Sequence, residues 1–275
     1  MKQQFLHRKP EGGFQHKHSL GQNFLTDAAL LESLIDETGV GSQDHILEVG
    51  PGGGDMTRLL SARCKTVTAV EIDRDLIPIL RVIMENADNF TLIEGDILRV
   101  NIPELMADKG PFHVVANIPY YLTTDLLTLL LQGNLPIRSI NVMVQKEAAQ
   151  RVLAGPSTPE YGPLAIRAQY YTQPRLARIV EAACFTPPPK VDSAFICLPW
   201  REAPAVSVRD EKRFFKIVSA TFALRRKTLC NNLISSFHME REEALAWLER
   251  AGLPENIRGE ALTIQQFADL CNAEA

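Results

Sequence analysis

The chain has 275 residues, 45% of them hydrophobic and 23% charged, an ordinary globular mixture long enough for one large domain and a small one. No apolar run approaches the ~18 residues of a membrane span, Lys2, His7, Arg8 and Lys9 lead into no apolar signal region, and the five cysteines contain no C-x-x-C pair. These features argue against a membrane-spanning helix and a structural zinc site and favour a reducing cytoplasm, while the net charge of −4 argues mildly against a nucleic-acid partner unless basic residues cluster locally.

Residues 1–18 are polar and read as a segment that orders only on a ligand or RNA. Their histidines, His7, His16 and His18, have no thiol or carboxylate partners at ligand spacing, so no metal is expected. Ser19 to Leu25 places Gln22 and Asn23 between Gly21 and Phe24, as a lid whose amides face a ligand would, and Asp27 is placed to cap a helix through Leu34 and Ile35. His45 to Gly50 reads as a strand that runs into Pro51-Gly52-Gly53-Gly54-Asp55 and a helix from Met56. Four glycines in five positions let the backbone approach a ligand closely, with a helix N-terminus behind them. A second strand, Thr66 to Val70, ends at Glu71, 21 residues after Gly50, the spacing of an acid that holds ribose hydroxyls.

A helix from Leu76 to Met84 follows, then a strand Phe90 to Ile93 that leaves Asp96 at a third strand end, within reach of an adenine amino group. The apolar run Phe112 to Ala116 is a fourth strand, and it delivers Asn117-Ile118-Pro119-Tyr120 into the turn at its carboxyl end, where open α/β sheets bind ligands. Asn117 offers a carbonyl acceptor, Pro119 has no N–H, and Tyr120 offers a flat face, a set that suits an extruded adenine. A helix Thr124 to Leu131, a strand Ile140 to Val144 and a helix Lys146 to Leu153 complete a βα rhythm. Gly155 to Pro163 reads as a mobile loop, and two strands, Tyr170-Tyr171 to Ile179 and Ala194 to Leu198, flank a triple proline, Pro187 to Pro189, that stiffens the backbone beside Phe185. After Trp200 the apolar spacing turns helical. The expected division is residues 1–200 for the α/β domain and 201–275 for a helical one. Between Arg209 and Lys227 seven basic residues face only Asp210 and Glu211, so Arg225, Arg226 and Lys227 are candidates to clamp RNA phosphates.

Seven segments in order, Leu20 to Leu25, Glu48 to Gly54, Glu71 to Asp73, Glu94 to Asp96, Asn117 to Tyr120, Phe185 to Ser193 and Phe222 to Leu229, resemble the ribosomal RNA adenine N6-dimethyltransferases, most closely the KsgA (RsmA) type that acts on small-subunit RNA. The resemblance implies a Rossmann-like class I S-adenosylmethionine-dependent methyltransferase sheet with a small C-terminal all-helical domain. It implies that Asn23, Leu25, Gly50, Glu71, Asp96 and Asn117 contact S-adenosylmethionine, with Asn117 and Tyr120 handling the target adenine and Phe185 stacking on its other face. The activity it implies is N6,N6-dimethylation of two adjacent adenosines in a hairpin loop near the 3′ end of small-subunit (16S) rRNA, by a monomer that meets the assembling 30S particle and serves its biogenesis. Ile118 and Leu20 stand where the family often has Leu and Phe, and neither change removes a functional group.

Three other readings share parts of this pattern. An Erm-type enzyme would methylate large-subunit RNA, a NAD-dependent oxidoreductase would use the glycine turn and Glu71 but not Asn117 to Tyr120, and a ribosome-assembly or transcription factor would keep the fold without catalysis.

Overall fold

The computed structural model describes residues 23–274; the lid residues Leu20 to Gln22 and the N-terminal histidines lie outside them. The elements in chain order are β1 (Phe24–Leu25), α1 (Ala28–Thr38), β2 (His45–Val49), α2 (Asp55–Arg63), β3 (Thr66–Glu71), α3 (Leu76–Ile83), β4 (Phe90–Glu94), α4 (Ile102–Leu105), β5 (Phe112–Asn117), α5 (Thr123–Leu130), β6 (Ile137–Gln145), α6 (Lys146–Leu153), α7 (Pro163–Tyr171), β7 (Arg175–Val180), β8 (Phe185–Thr186) and β9 (Ser193–Pro199). Four helices complete the chain: α8 (Glu211–Thr221), α9 (Leu229–Phe237), α10 (Arg241–Arg250) and α11 (Ile264–Asn272). Seven strands form one sheet in the order β4-β3-β2-β5-β6-β9-β7, parallel from β4 to β6 and antiparallel beyond.

Both faces of the parallel strands are covered, which is why they read as continuous apolar runs. Leu47, Val49, Val114 and Ala116 pack towards α5, while Ile46, Val67 and Val115 pack with Leu31, Leu34, Ile35 and Leu60 of α1 and α2. Asp27 caps α1 as expected, its side chain accepting from Leu30 N–H at 3.1 Å. The strand order reverses between β2 and β5, which opens a crevice at their carboxyl ends. Register decides what reaches it. Val49 pairs with Val70 on one side and Ala116 on the other, so Gly50, Glu71 and Asn117, each one residue further on, share one edge. The ladder extends past the strands there: Gly50 N–H donates to Val70 C=O at 3.0 Å and Gly95 N–H to Glu71 C=O at 2.8 Å.

The structure departs from the sequence reading between residues 155 and 180. Tyr170 and Tyr171, read as the start of a strand, end helix α7, and the strand begins only at Arg175. Pro163 occupies the first turn of α7, where its missing N–H costs nothing. The paired tyrosines favour a strand locally, but in the helix they bury both rings: Tyr170 stacks on Phe214 at 5.1 Å and Tyr171 on Trp200 at 5.3 Å. The stretch read as a mobile loop is pinned, with Ser157 N–H on Glu260 C=O at 2.7 Å and the Tyr161 ring buried. A third core therefore joins Tyr161, Ala165, Ile166, Tyr170 and Tyr171 to the residues of α8 to α11. This core draws on both sides of position 200.

Phe214 is fully buried at the centre of this aromatic cluster, in contact with Tyr170 and Phe215. Phe214→Ala is expected to lower unfolding stability by about 3–5 kcal/mol through lost burial and a residual cavity. Urea denaturation followed by tryptophan fluorescence measures it.

Candidate active site

The crevice is closed on one side by a two-stranded ribbon. β1 pairs antiparallel with β8, Phe24 opposite Thr186 and Leu25 opposite Phe185, which lays Asn23 to Leu25 across the glycine turn. Gly52 adopts φ +58°, and a Cβ built there would lie 2.7 Å from Phe24 Cε1, so backbone and ring meet at a distance that only glycine permits. Gly54 N–H donates to Pro51 C=O at 3.0 Å and closes the turn ahead of α2.

Glu71 holds the opposite wall. Its carboxylate is buried and accepts Gly52 N–H at 3.2 Å and Asp73 N–H at 2.8 Å, so the acid that follows β3 also fixes the turn that follows β2. Burial raises its proton affinity, and the Asp73 and Gly52 amides act against that. Asp96 accepts Leu98 N–H at 3.0 Å. Asn117 reaches across to the ribbon, its Nδ2 donating to Asn23 C=O at 2.9 Å. A carbonyl can only accept, so this bond fixes which way the carboxamide points and leaves Oδ1 as the atom with acceptor capacity. The Tyr120 ring is half-buried and tethered through its hydroxyl, 3.0 Å from Ser193 Oγ.

Asn23, Leu25, Gly50, Glu71, Asp96, Asn117 and Tyr120 all line this one cleft. Phe185 does not. Expected to be presented to a base, it is buried at 3% exposure among Leu25, Leu31 and Phe195. The cause is the alternation along β8: the residue that pairs with Leu25 points inward and its neighbour Thr186 takes the exposed position. Arg225, Arg226 and Lys227 are exposed in the turn between α8 and α9, away from the cleft lining and not on a helix face, and Arg225 donates to Pro159 C=O. Arg213, counted with the basic run, is instead structural: it forms an ion pair with Glu274 and lies over the Phe237 ring at 4.2 Å.

Sequence reasoning gave no site role to several residues that line the cleft: Glu48 and Phe24, which lie within its motifs, and Ile72, Leu98 and Tyr121. Ile72 and Tyr121 directly follow the recognised Glu71 and Tyr120 and leave large apolar surface in water at 49% and 58% exposure, a signal that exists only in three dimensions. Among the described residues no group of three or more His, Cys, Asp or Glu could hold a metal ion, and no helix is long and apolar enough to cross a membrane.

A glycine turn that a single Cβ would fill and a buried acid on the next strand form a cradle suited to a nucleoside. The sheet is that of the Rossmann-like class I methyltransferases, and the comparisons that follow give S-adenosylmethionine as the methyl donor. Comparison with known proteins gives the family. The chain belongs to the ribosomal RNA adenine dimethylases, whose family description matches residues 13–274. It is 44% identical over 268 residues to "Ribosomal RNA small subunit methyltransferase A" of Streptococcus sanguinis, covering 95% of this chain and 92% of that one. Among solved structures it resembles the 23S rRNA methyltransferase ErmE, with 26% identity and TM-score 0.71 over 91% of this chain and 99% of that one. It also shares the fold of a Plasmodium falciparum dimethyladenosine transferase, with 24% identity and TM-score 0.77 over 90% and 95%.

Gly52→Ala is expected to weaken S-adenosylmethionine binding about tenfold, because the added carbon displaces Phe24 and the free variant relaxes out of the left-handed turn, which donor binding must restore at about 1–2 kcal/mol. Titration calorimetry with the donor measures it.

Proposed function

We propose that this enzyme dimethylates N6 of two adjacent adenosines in a hairpin loop near the 3′ end of small-subunit rRNA. The observation that carries the reading is the Asn117 carboxamide, oriented by Asn23 at the mouth of the donor cleft. The small-subunit assignment rests on the 44% identity to relatives named for that subunit, against 26% to the large-subunit enzyme ErmE.

Asn117 Oδ1 accepts one N6 hydrogen. A carbonyl of the Ile118–Pro119 turn accepts the other. Two acceptors turn the N6 lone pair out of conjugation and towards the donor. S-adenosylmethionine, when bound, supplies an electrophilic methyl on a sulfonium. The N6 lone pair forms the C–N bond while the C–S pair returns to sulfur, and N6 sheds a proton to water, so no strong base is needed. Positioning and acceptors placed where positive charge develops account for the acceleration. Tyr120, held by Ser193, stacks on the target ring. Phe185 fixes β8 beneath β1 and does not itself stack. Glu71 holds the ribose, Asp96 the adenine amine, and Asn23, Leu25 and Gly50 complete the donor contacts.

Residues 1–200 form the transfer domain in this reading, with α7 lending one side to the core of the RNA-binding helices of residues 201–275. Arg225, Arg226 and Lys227 contact phosphates of the assembling small-subunit particle. The enzyme works as a cytoplasmic monomer in ribosome biogenesis and has no membrane partner.

Asn117→Ala is expected to lower kcat by about 10²–10³ while donor affinity changes far less. Labelled donor incubated with unmethylated small-subunit particles, followed by mapping of the modified bases, tests both turnover and site; large-subunit RNA is the comparison. Wild-type turnover by Asn117→Ala, or label confined to large-subunit RNA, overturns the reading. Neutralising Arg225, Arg226 and Lys227 together is expected to flatten the slope of log K against log salt by about two to three, read from RNA binding across a salt series.

A further inference from the structure

We propose that Asn232 is a positioning residue for the RNA clamp: its carboxamide fixes the basic turn between α8 and α9, so that the clamp is already formed in the free enzyme. The inference rests on the reading of Arg225, Arg226 and Lys227 as phosphate contacts. Asn232 lies one turn into α9 and is only 1% exposed, on a helix whose other buried residues are Leu229, Cys230 and Leu233. Asparagine is a poor helix former, and a buried amide costs free energy unless its polar atoms are partnered. Both atoms find partners in one residue of the turn: Oδ1 accepts Leu224 N–H at 3.0 Å, and Nδ2 donates to Leu224 C=O at 3.3 Å. The same carbonyl accepts Lys227 N–H at 2.8 Å, so the closure of the turn and its attachment to α9 meet at Leu224.

The turn is held elsewhere as well. Arg225 donates to Pro159 C=O, and the Phe222 ring meets the buried Tyr161 ring edge-on at 5.9 Å. Thr228 caps α9 by accepting Asn231 N–H at 3.4 Å, and Leu229 N–H donates to Ile257 C=O at 2.8 Å. The backbone is thereby fixed while Leu224, Arg225, Arg226 and Lys227 stay exposed. Residues 222–228 include no acid, and cations closer than a Debye length of about 8 Å repel one another. A free turn would spread them over many arrangements, and phosphate binding would have to order the backbone, at about a tenfold loss of affinity for each residue fixed. Asn232 removes that cost beforehand and does so without a charge of its own. Its loss should therefore weaken RNA binding while the number of phosphates contacted stays the same.

The test measures binding of unmethylated small-subunit rRNA across a salt series for wild type, Asn232→Ala and Ala223→Gly. Asn232→Ala is expected to bind about tenfold more weakly, with the slope of log K against log salt unchanged because every cation is still present. Calorimetry with S-adenosylmethionine checks that this variant is folded, and its donor affinity should match wild type. Hydrogen exchange in the free enzyme reads the lock itself: the Leu224 and Lys227 amides should exchange faster in Asn232→Ala. Ala223 is exposed, so Ala223→Gly loosens the same turn without opening a core, and it should bind RNA about two- to fivefold more weakly, again at unchanged slope. It decides the matter if Asn232→Ala does not fold. A merely structural role for Asn232 would lower Tm and leave the RNA affinity of the folded protein as it was. Wild-type RNA affinity in a folded Asn232→Ala or in Ala223→Gly overturns the proposal, as does a flattened salt slope in either. If neutralising Arg226 and Lys227 does not flatten the slope, the clamp reading itself has failed; if it does and Asn232→Ala binds like wild type, only this inference has.

Discussion

One hydrogen bond ties the halves of the active site together: Asn117 Nδ2 to Asn23 C=O. It joins residues 94 positions apart, the end of the fourth parallel strand in sequence and the start of the ribbon that covers the glycine turn. Its chemistry permits one orientation only, since the carbonyl cannot donate. In the proposed reaction the same bond aims the acceptor that grips the target amine.

Around that bond the sheet acts as a ruler. Because β2, β3 and β5 are in register, the residues that follow them arrive side by side, and the chemistry needs no long loops to bring Gly50, Glu71 and Asn117 together. Glu71, buried on the same edge, accepts the Gly52 and Asp73 amides and so joins the end of β3 to the turn after β2.

Much of this was legible in the sequence because it is local. Strands with continuous apolar runs, the glycine turn, Glu71 at its spacing and the Asp27 cap depend on neighbours within a few positions, and each fell where pattern and turn chemistry put it. What failed depends on partners far away. Phe185 looked exposed because three prolines follow it, but strand pairing with Leu25 turns its ring inward. Tyr170 and Tyr171 have the local character of a strand and become helical to pack against Phe214, Phe215 and Trp200. Glu48 was visible as part of a motif, whereas its burial is a property of the folded cleft alone.

A structure of the enzyme bound to the demethylated donor product and an adenosine-containing loop RNA tests the central claim most directly. The account requires adenine N6 within hydrogen-bond reach of Asn117 Oδ1, about 2.7–3.2 Å, with Nδ2 still on Asn23 C=O. An amide rotated away from Asn23, or an N6 held by other groups with Asn117 uninvolved, would contradict it.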